Sequence, residues 1–113
     1  MSVVIYHNPR CSKSRQTLQL LQDKGVEPEI VEYLTNPPSI EELKTILGQL
    51  GMAPRDLLRK KEAAEYGLND KSLSDEAVIA GMVANPRAIE RPIVIKDNKA
   101  VLGRPPENVL DLI

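Results

Sequence analysis

The sequence predicts an α/β fold built on a mixed sheet, with a block of helices inserted between the second and third strands. Three observations carry this reading. The chain opens with a strand–helix–strand pattern: Val3-Val4-Ile5-Tyr6, then Ser12 to Lys24, then Glu29-Ile30-Val31-Glu32-Tyr33. That order implies a crossover and a parallel pair of strands. The stretch from about 39 to 86 is almost entirely helical in pattern. The end of the chain carries two short apolar runs around a polar turn, followed by a last helical pattern. A length of 113 residues suits one compact domain spanning 1–113.

Each element has a local reason. Val3-Val4-Ile5-Tyr6 is a short apolar run closed by the turn-prone His7-Asn8-Pro9. In the helix that follows, Leu18 and Leu21 share a face, and Gly25 is placed to end it in a left-handed conformation. Pro37-Pro38 breaks the chain. Ser39-Ile40-Glu41-Glu42 reads as a capping box. Leu43, Ile46, Leu47 and Leu50 then recur at the spacing of one buried helix face, up to Gly51. Pro54 can open a further helix, Arg55 to about Lys61, with Leu57 and Leu58 inward. Ser74-Asp75-Glu76 starts another, whose apolar residues are Val78, Ile79, Met82 and Val83 and which Asn85-Pro86 stops. Pro92-Ile93-Val94-Ile95 and Ala100-Val101-Leu102 form a hairpin with Asp97-Asn98 at its turn. Pro105-Pro106 opens the final helix, carrying Val109, Leu110 and Ile113.

The order β-α-β, helical insertion, β-β-α matches a thioredoxin-like fold, a central mixed sheet with helices on both faces. In that fold the reactive cysteine follows the first strand and starts the first helix. A proline before the third strand, usually cis, sits close to it. Cys11 and Pro92 occupy the corresponding places.

Composition narrows the function classes. The chain is 42% hydrophobic with no Trp or Phe, so its core is aliphatic. A net charge of −1 lacks the basic bias of a nucleic-acid binder. A single cysteine cannot build an internal disulfide framework, which fits a reducing, cytoplasmic setting. No secretory signal pattern opens the chain, and no apolar run approaches the roughly 20 residues that span a bilayer. No large exposed apolar face is evident, so a monomer is expected. One histidine and one cysteine make no zinc site, and the six glycines form no nucleotide loop. Neither a metal nor a tightly bound cofactor is expected.

The chemistry centres on Cys11. A free cysteine is commonly a small buried apolar residue. Here Arg10, Ser12, Lys13 and Ser14 surround it, a setting foreign to a core. Between a strand and a helix N-terminus a sulfur meets unpaired N–H groups and the positive end of the helix dipole. Both favour the thiolate, which is the nucleophile. The spacing Cys11-Ser12-Lys13-Ser14 is C-x-x-S: Ser14 cannot resolve a disulfide, but its hydroxyl can donate to a thiolate. Any disulfide of Cys11 must involve another molecule. Arg91 and Arg104 each precede a proline, which gives the side chain a restricted exit direction, and Arg59 lies in Leu57-Leu58-Arg59-Lys60-Lys61. Guanidinium groups suit tetrahedral oxyanions, although any of the three could equally be a solvated surface residue. His7 is a candidate acid, base or modulator of the thiol, or a purely structural loop residue.

Taken together, these motifs resemble the glutaredoxin-coupled arsenate reductases. The resemblance runs through His7-Asn8-Pro9-x-Cys11-x-x-Ser14-Arg15, Tyr33-Leu34-x-x-Pro37-Pro38, Leu57-Leu58-Arg59-Lys60, Glu90-Arg91-Pro92-Ile93-Val94 and Gly103-Arg104-Pro105. It covers the chain in order and is nearest to the shorter arsenate-reductase-like branch. It implies that Cys11 attacks arsenate and that Arg59, Arg91 and Arg104 hold the oxyanion. It further implies that glutathione acts as cosubstrate, that glutaredoxin resolves the product, and that His7 and Ser14 tune the thiol. Two other readings share the fold: a glutathione-dependent thiol reductase or transferase with another substrate, and a Spx-type RNA-polymerase-binding regulator. The regulator usually carries a C-x-x-C switch, which Ser14 interrupts.

Overall fold

The computed structural model describes residues 2–113. The chain divides into two compact units: the described residues up to Asn36 together with Arg91–Ile113, and the inserted segment Pro37–Glu90.

The first unit holds the sheet. Its strands are β1 (Val3–Tyr6), β2 (Glu29–Val31), β3 (Ile93–Lys96) and β4 (Lys99–Leu102), in the order β2-β1-β3-β4. β1 runs parallel to β2, with Ile5 opposite Ile30, and antiparallel to β3, with Ile5 opposite Val94. β3 and β4 form the expected hairpin, closing at Lys96 opposite Lys99, with Asp97 left-handed at φ 58°. α1 (Ser12–Asp23) crosses between β1 and β2. Gly25, at φ 80°, takes the chain out of that helix as expected. Val3, Ile5, Leu21, Val94 and Val109 form the buried core, with Leu18, Val26, Val101 and Leu112 against it.

Two elements of this unit differ from the sequence expectation. The second strand stops at Val31, not Tyr33, because Thr35 and Asn36 both return their N–H groups to the Glu32 carbonyl and turn the chain. The C-terminal helix is a 3-10 helix, Pro106–Asp111. Its three-residue period buries Val109 and brings Leu112 to the core, while Leu110 points outward at 39% exposure.

The inserted unit is helical. α2 (Ile40–Leu50) begins with the predicted capping box: Glu42 N donates to Ser39 Oγ, and Ser39 N donates to Glu42 Oε1. It buries Leu43, Ile46 and Leu47 and ends at left-handed Gly51. α3 (Lys60–Glu65) and α4 (Asp75–Ala84) follow, α4 capped by Ser74 and packed on α2. The helix expected over Arg55 to Lys61 is interrupted. Pro54–Leu57 is a 3-10 turn, and Leu58 and Arg59 are extended. The reason is pairing: Leu58 bridges Ile89, Arg59 N donates to Ala88 O at 2.7 Å, and Glu90 N donates to Leu57 O at 2.8 Å. Arg55 is the tie of this unit, its guanidinium donating to the carbonyls of Asp70, Lys71 and Leu73.

Candidate active site

β1 delivers the chain to a loop that ends on Cys11. Asn8 builds that loop. Its Oδ1 accepts from Arg10 N at 3.0 Å, its carbonyl accepts from Cys11 N at 3.0 Å, and its own N–H donates to Ser14 Oγ at 3.0 Å. The first of these is an Asx turn, the local bond that asparagine makes readily. Arg15 closes the outside of the loop by donating to the Pro9 carbonyl at 2.9 Å.

Cys11 is the N-cap of α1, with extended backbone at φ −92° and ψ 124°. Its sulfur stands where a capping oxygen would, facing the first-turn N–H groups. The neutral thiol makes no capping bond. Partial burial works against ionisation, and it is outweighed by four effects: the Ser14 N–H, the charge of Arg91, the Lys13 N–H and a hydrogen bond from the Arg91 side chain. Together they hold the thiol below its ordinary value. Arg104 approaches the same atom, its Nη1 lying 3.8 Å from Cys11 Sγ and 3.3 Å from the Arg91 carbonyl. α1 has no acidic residue in its first turn, unlike α2 and α4.

Ser14 and His7 are both buried. The Ser14 hydroxyl bonds His7 Nδ1 at 2.7 Å and accepts from Asn8 N. This corrects the expectation that the hydroxyl would donate to the thiolate: the Ser14 group that acts on sulfur is the backbone N–H. The hydroxyl instead fixes the loop to the helix. Burial lowers the pKa of His7, opposed by Glu32 and assisted by Arg15. His7 is therefore mainly neutral at pH 7, and its backbone N–H donates to the Val31 carbonyl at 2.8 Å.

Of the sequence-selected residues, Cys11, His7, Ser14, Arg91 and Arg104 lie in the first unit. Arg91 and Arg104 each precede a cis proline, Pro92 and Pro105; only the first was expected. Arg59 lies in the inserted unit, at the N-cap of α3, where its Nε pairs with Glu62 Oε1 at 2.9 Å. Among the described residues, no group of three or more His, Cys, Asp or Glu could hold a metal ion, and no helix is long and apolar enough to cross a membrane.

Cys11 thus stands at a helix N-cap with two guanidinium groups facing its sulfur. The ArsC family model matches residues 6–112. The chain belongs to the ArsC family. This ArsC-family chain is 54% identical, over 98% of its length and 96% of the relative's, to the Escherichia coli K12 protein named "Uncharacterized protein YfgD". It is 45% identical to a Haemophilus influenzae protein named "Arsenate reductase", with 100% of each chain covered. The solved structure "Arsenate reductase from Vibrio cholerae" superposes at a TM-score of 0.96 with 51% identity, covering 100% of this chain and 98% of that one.

Sequence reasoning passed over three residues of this ArsC-family site. Asn8 carried a legible signal, an asparagine next to proline two residues before the bonded N–H. Gly103 stood beside a selected arginine. Thr17 carried no signal, since its partner Gly103 lies 86 positions away.

Proposed function

We propose that this protein reduces arsenate to arsenite, with Cys11 as nucleophile, glutathione as cosubstrate and glutaredoxin as the regenerating partner. One observation supports this most directly: two guanidinium groups, of Arg91 and Arg104, converge on the sulfur of the only cysteine. Arsenate is largely a dianion near neutral pH and a thiolate repels it. Fixed cations make the approach feasible and stabilise charge in the transition state. Forked guanidinium donors match its tetrahedral oxygens.

The sequence of steps balances without a second cysteine. The Cys11 thiolate forms a sulfur–arsenic bond as one oxygen leaves as water. The glutathione thiol then bonds arsenic as a second oxygen leaves as water. Both sulfur–arsenic bonds break as the Cys11–glutathione disulfide forms, which passes two electrons to arsenic, and uptake of water releases arsenite. A glutaredoxin thiol then takes the glutathione from Cys11. Arsenate and phosphate share shape and charge, so discrimination rests on the ease with which arsenic accepts the electron pair.

The test is a coupled assay with glutathione, glutaredoxin and arsenate, followed by direct detection of arsenite. The protein forms arsenite and the Cys11→Ser variant, folded by circular dichroism, does not. Retained activity in that variant sinks the proposal. Absence of arsenite with the parent protein transfers the site to another substrate of glutathione-dependent thiol chemistry.

A further inference from the structure

Gly103 joins the three segments that carry Cys11, Arg91 and Arg104. Its N–H donates to the Pro92 carbonyl at 3.0 Å, one residue beyond Arg91. Its carbonyl accepts from the Thr17 hydroxyl at 3.1 Å, and that hydroxyl also contacts the Lys13 carbonyl at 2.8 Å in the turn that Cys11 caps. Thr17 is fully buried. The peptide that Thr17 holds is the one leading directly into Arg104. Asn108 Nδ2 steadies the same segment, donating to the carbonyls of Leu102 at 3.3 Å and Arg104 at 3.2 Å.

The contact leaves no room for a side chain. A Cβ on Gly103 would stand 2.7 Å from both Thr17 Oγ1 and Thr17 Cγ2, and 3.0 Å from Pro92 Cγ. Gly103 is not in the left-handed region, so glycine serves here for close approach and not for its conformational freedom. Atoms packed this closely transmit displacement, because interiors have no slack to absorb it.

We propose that Thr17 and Gly103 are positioning residues that set the distance between the Arg104 guanidinium and the Cys11 sulfur, and with it the width of the oxyanion site. The inference rests on the proposed function only in naming that site; the geometry it concerns can be read without arsenate. Widening the contact moves Arg104 off the sulfur while leaving every reacting group present.

Alkylation of Cys11, the only cysteine, provides the readout. The rate with anionic iodoacetate, divided by the rate with neutral iodoacetamide, reports positive charge beside the thiolate and cancels the fraction ionised. Thr17→Val and Gly103→Ala lower this ratio about two- to tenfold, the effect of drawing one unit charge a few ångströms away. Arg104→Ala marks the full loss. Thr17→Ser, which keeps the hydroxyl, keeps the parent ratio. An unchanged ratio in a folded Thr17→Val protein overturns the proposal, and so does an equal loss in Thr17→Ser. If Gly103→Ala does not fold, the Thr17 pair decides alone. A ratio that falls in a protein forming no arsenite leaves the positioning role standing and removes the substrate.

Discussion

Ser14 Oγ and His7 Nδ1 lie 2.7 Å apart, buried, at the point where the loop after β1 meets the first turn of α1. The hydroxyl is occupied there, and it also receives the Asn8 N–H. The acidity of Cys11 therefore depends on main-chain N–H groups and Arg91, and the side chain of Ser14 keeps those groups in place.

Replacing Ser14 separates these roles. Ser14→Ala retains the backbone N–H that faces the sulfur, so the thiol remains below its ordinary value. The Asn8 N–H and His7 Nδ1 lose their buried partner, at about 1–3 kcal/mol of stability. Chemical denaturation measures the loss, and ultraviolet titration of the thiolate measures the retained acidity. A thiol that reverts to about 8.5 in this variant would show that the hydroxyl acts on sulfur after all.

The thiol pKa is lowered, which fixes the direction of the pH dependence. Between the folded and unfolded thiol values the unfolded chain binds more protons, so this group adds stability as pH rises and loses it as pH falls through the folded value. Iodoacetamide alkylation at Cys11 rises with pH with its midpoint below the roughly 8.5 of a free thiol. A midpoint at or above that value contradicts an activated nucleophile.

His7 gives a second window. Its folded pKa lies below the ordinary 6.5, chiefly through burial. Stability from this group is present above 6.5 and is lost as pH falls through the folded value. The melting temperature of the parent protein accordingly drops on acidification below that point. His7→Gln, which does not titrate, shows a shallower drop in the same buffers.

Arg91 should matter to substrate more than to folding. Arg91→Ala removes a charge and a hydrogen bond from the thiolate, so the thiol pKa rises and kcat/KM for arsenate falls at least tenfold. A hydrogen bond to a charged group contributes roughly 1.5–3 kcal/mol, of which tenfold in rate takes about 1.4 kcal/mol. Unchanged kcat/KM would make Arg91 a structural residue.

Legibility in the sequence followed the range of the interactions. The capping box at Ser39, the hairpin turn at Asp97-Asn98 and the N-cap position of Cys11 rest on neighbours a few residues apart, and a sequence displays these directly. The break at Leu58-Arg59 did not show, because it depends on pairing with Ala88 to Glu90 some thirty positions on. The short period of the last helix was hidden for a similar reason: apolar residues at 109, 110 and 113 fit an α-helix as well as a 3-10 helix until the core selects Val109 and Leu112.

The sequence by itself determined a single-thiol nucleophile at a helix start, since C-x-x-S after an apolar strand admits no internal disulfide. It also supplied the arginines. Only the tertiary structure decided what they do to the thiol. Arg91 and Arg104 reach Cys11 from segments 80 and 93 positions away, and Gly103 sets their approach by lacking a Cβ against Thr17 and Pro92. Close packing between distant segments leaves no periodic trace along a chain, so the cationic site around Cys11 exists only once the sheet has formed.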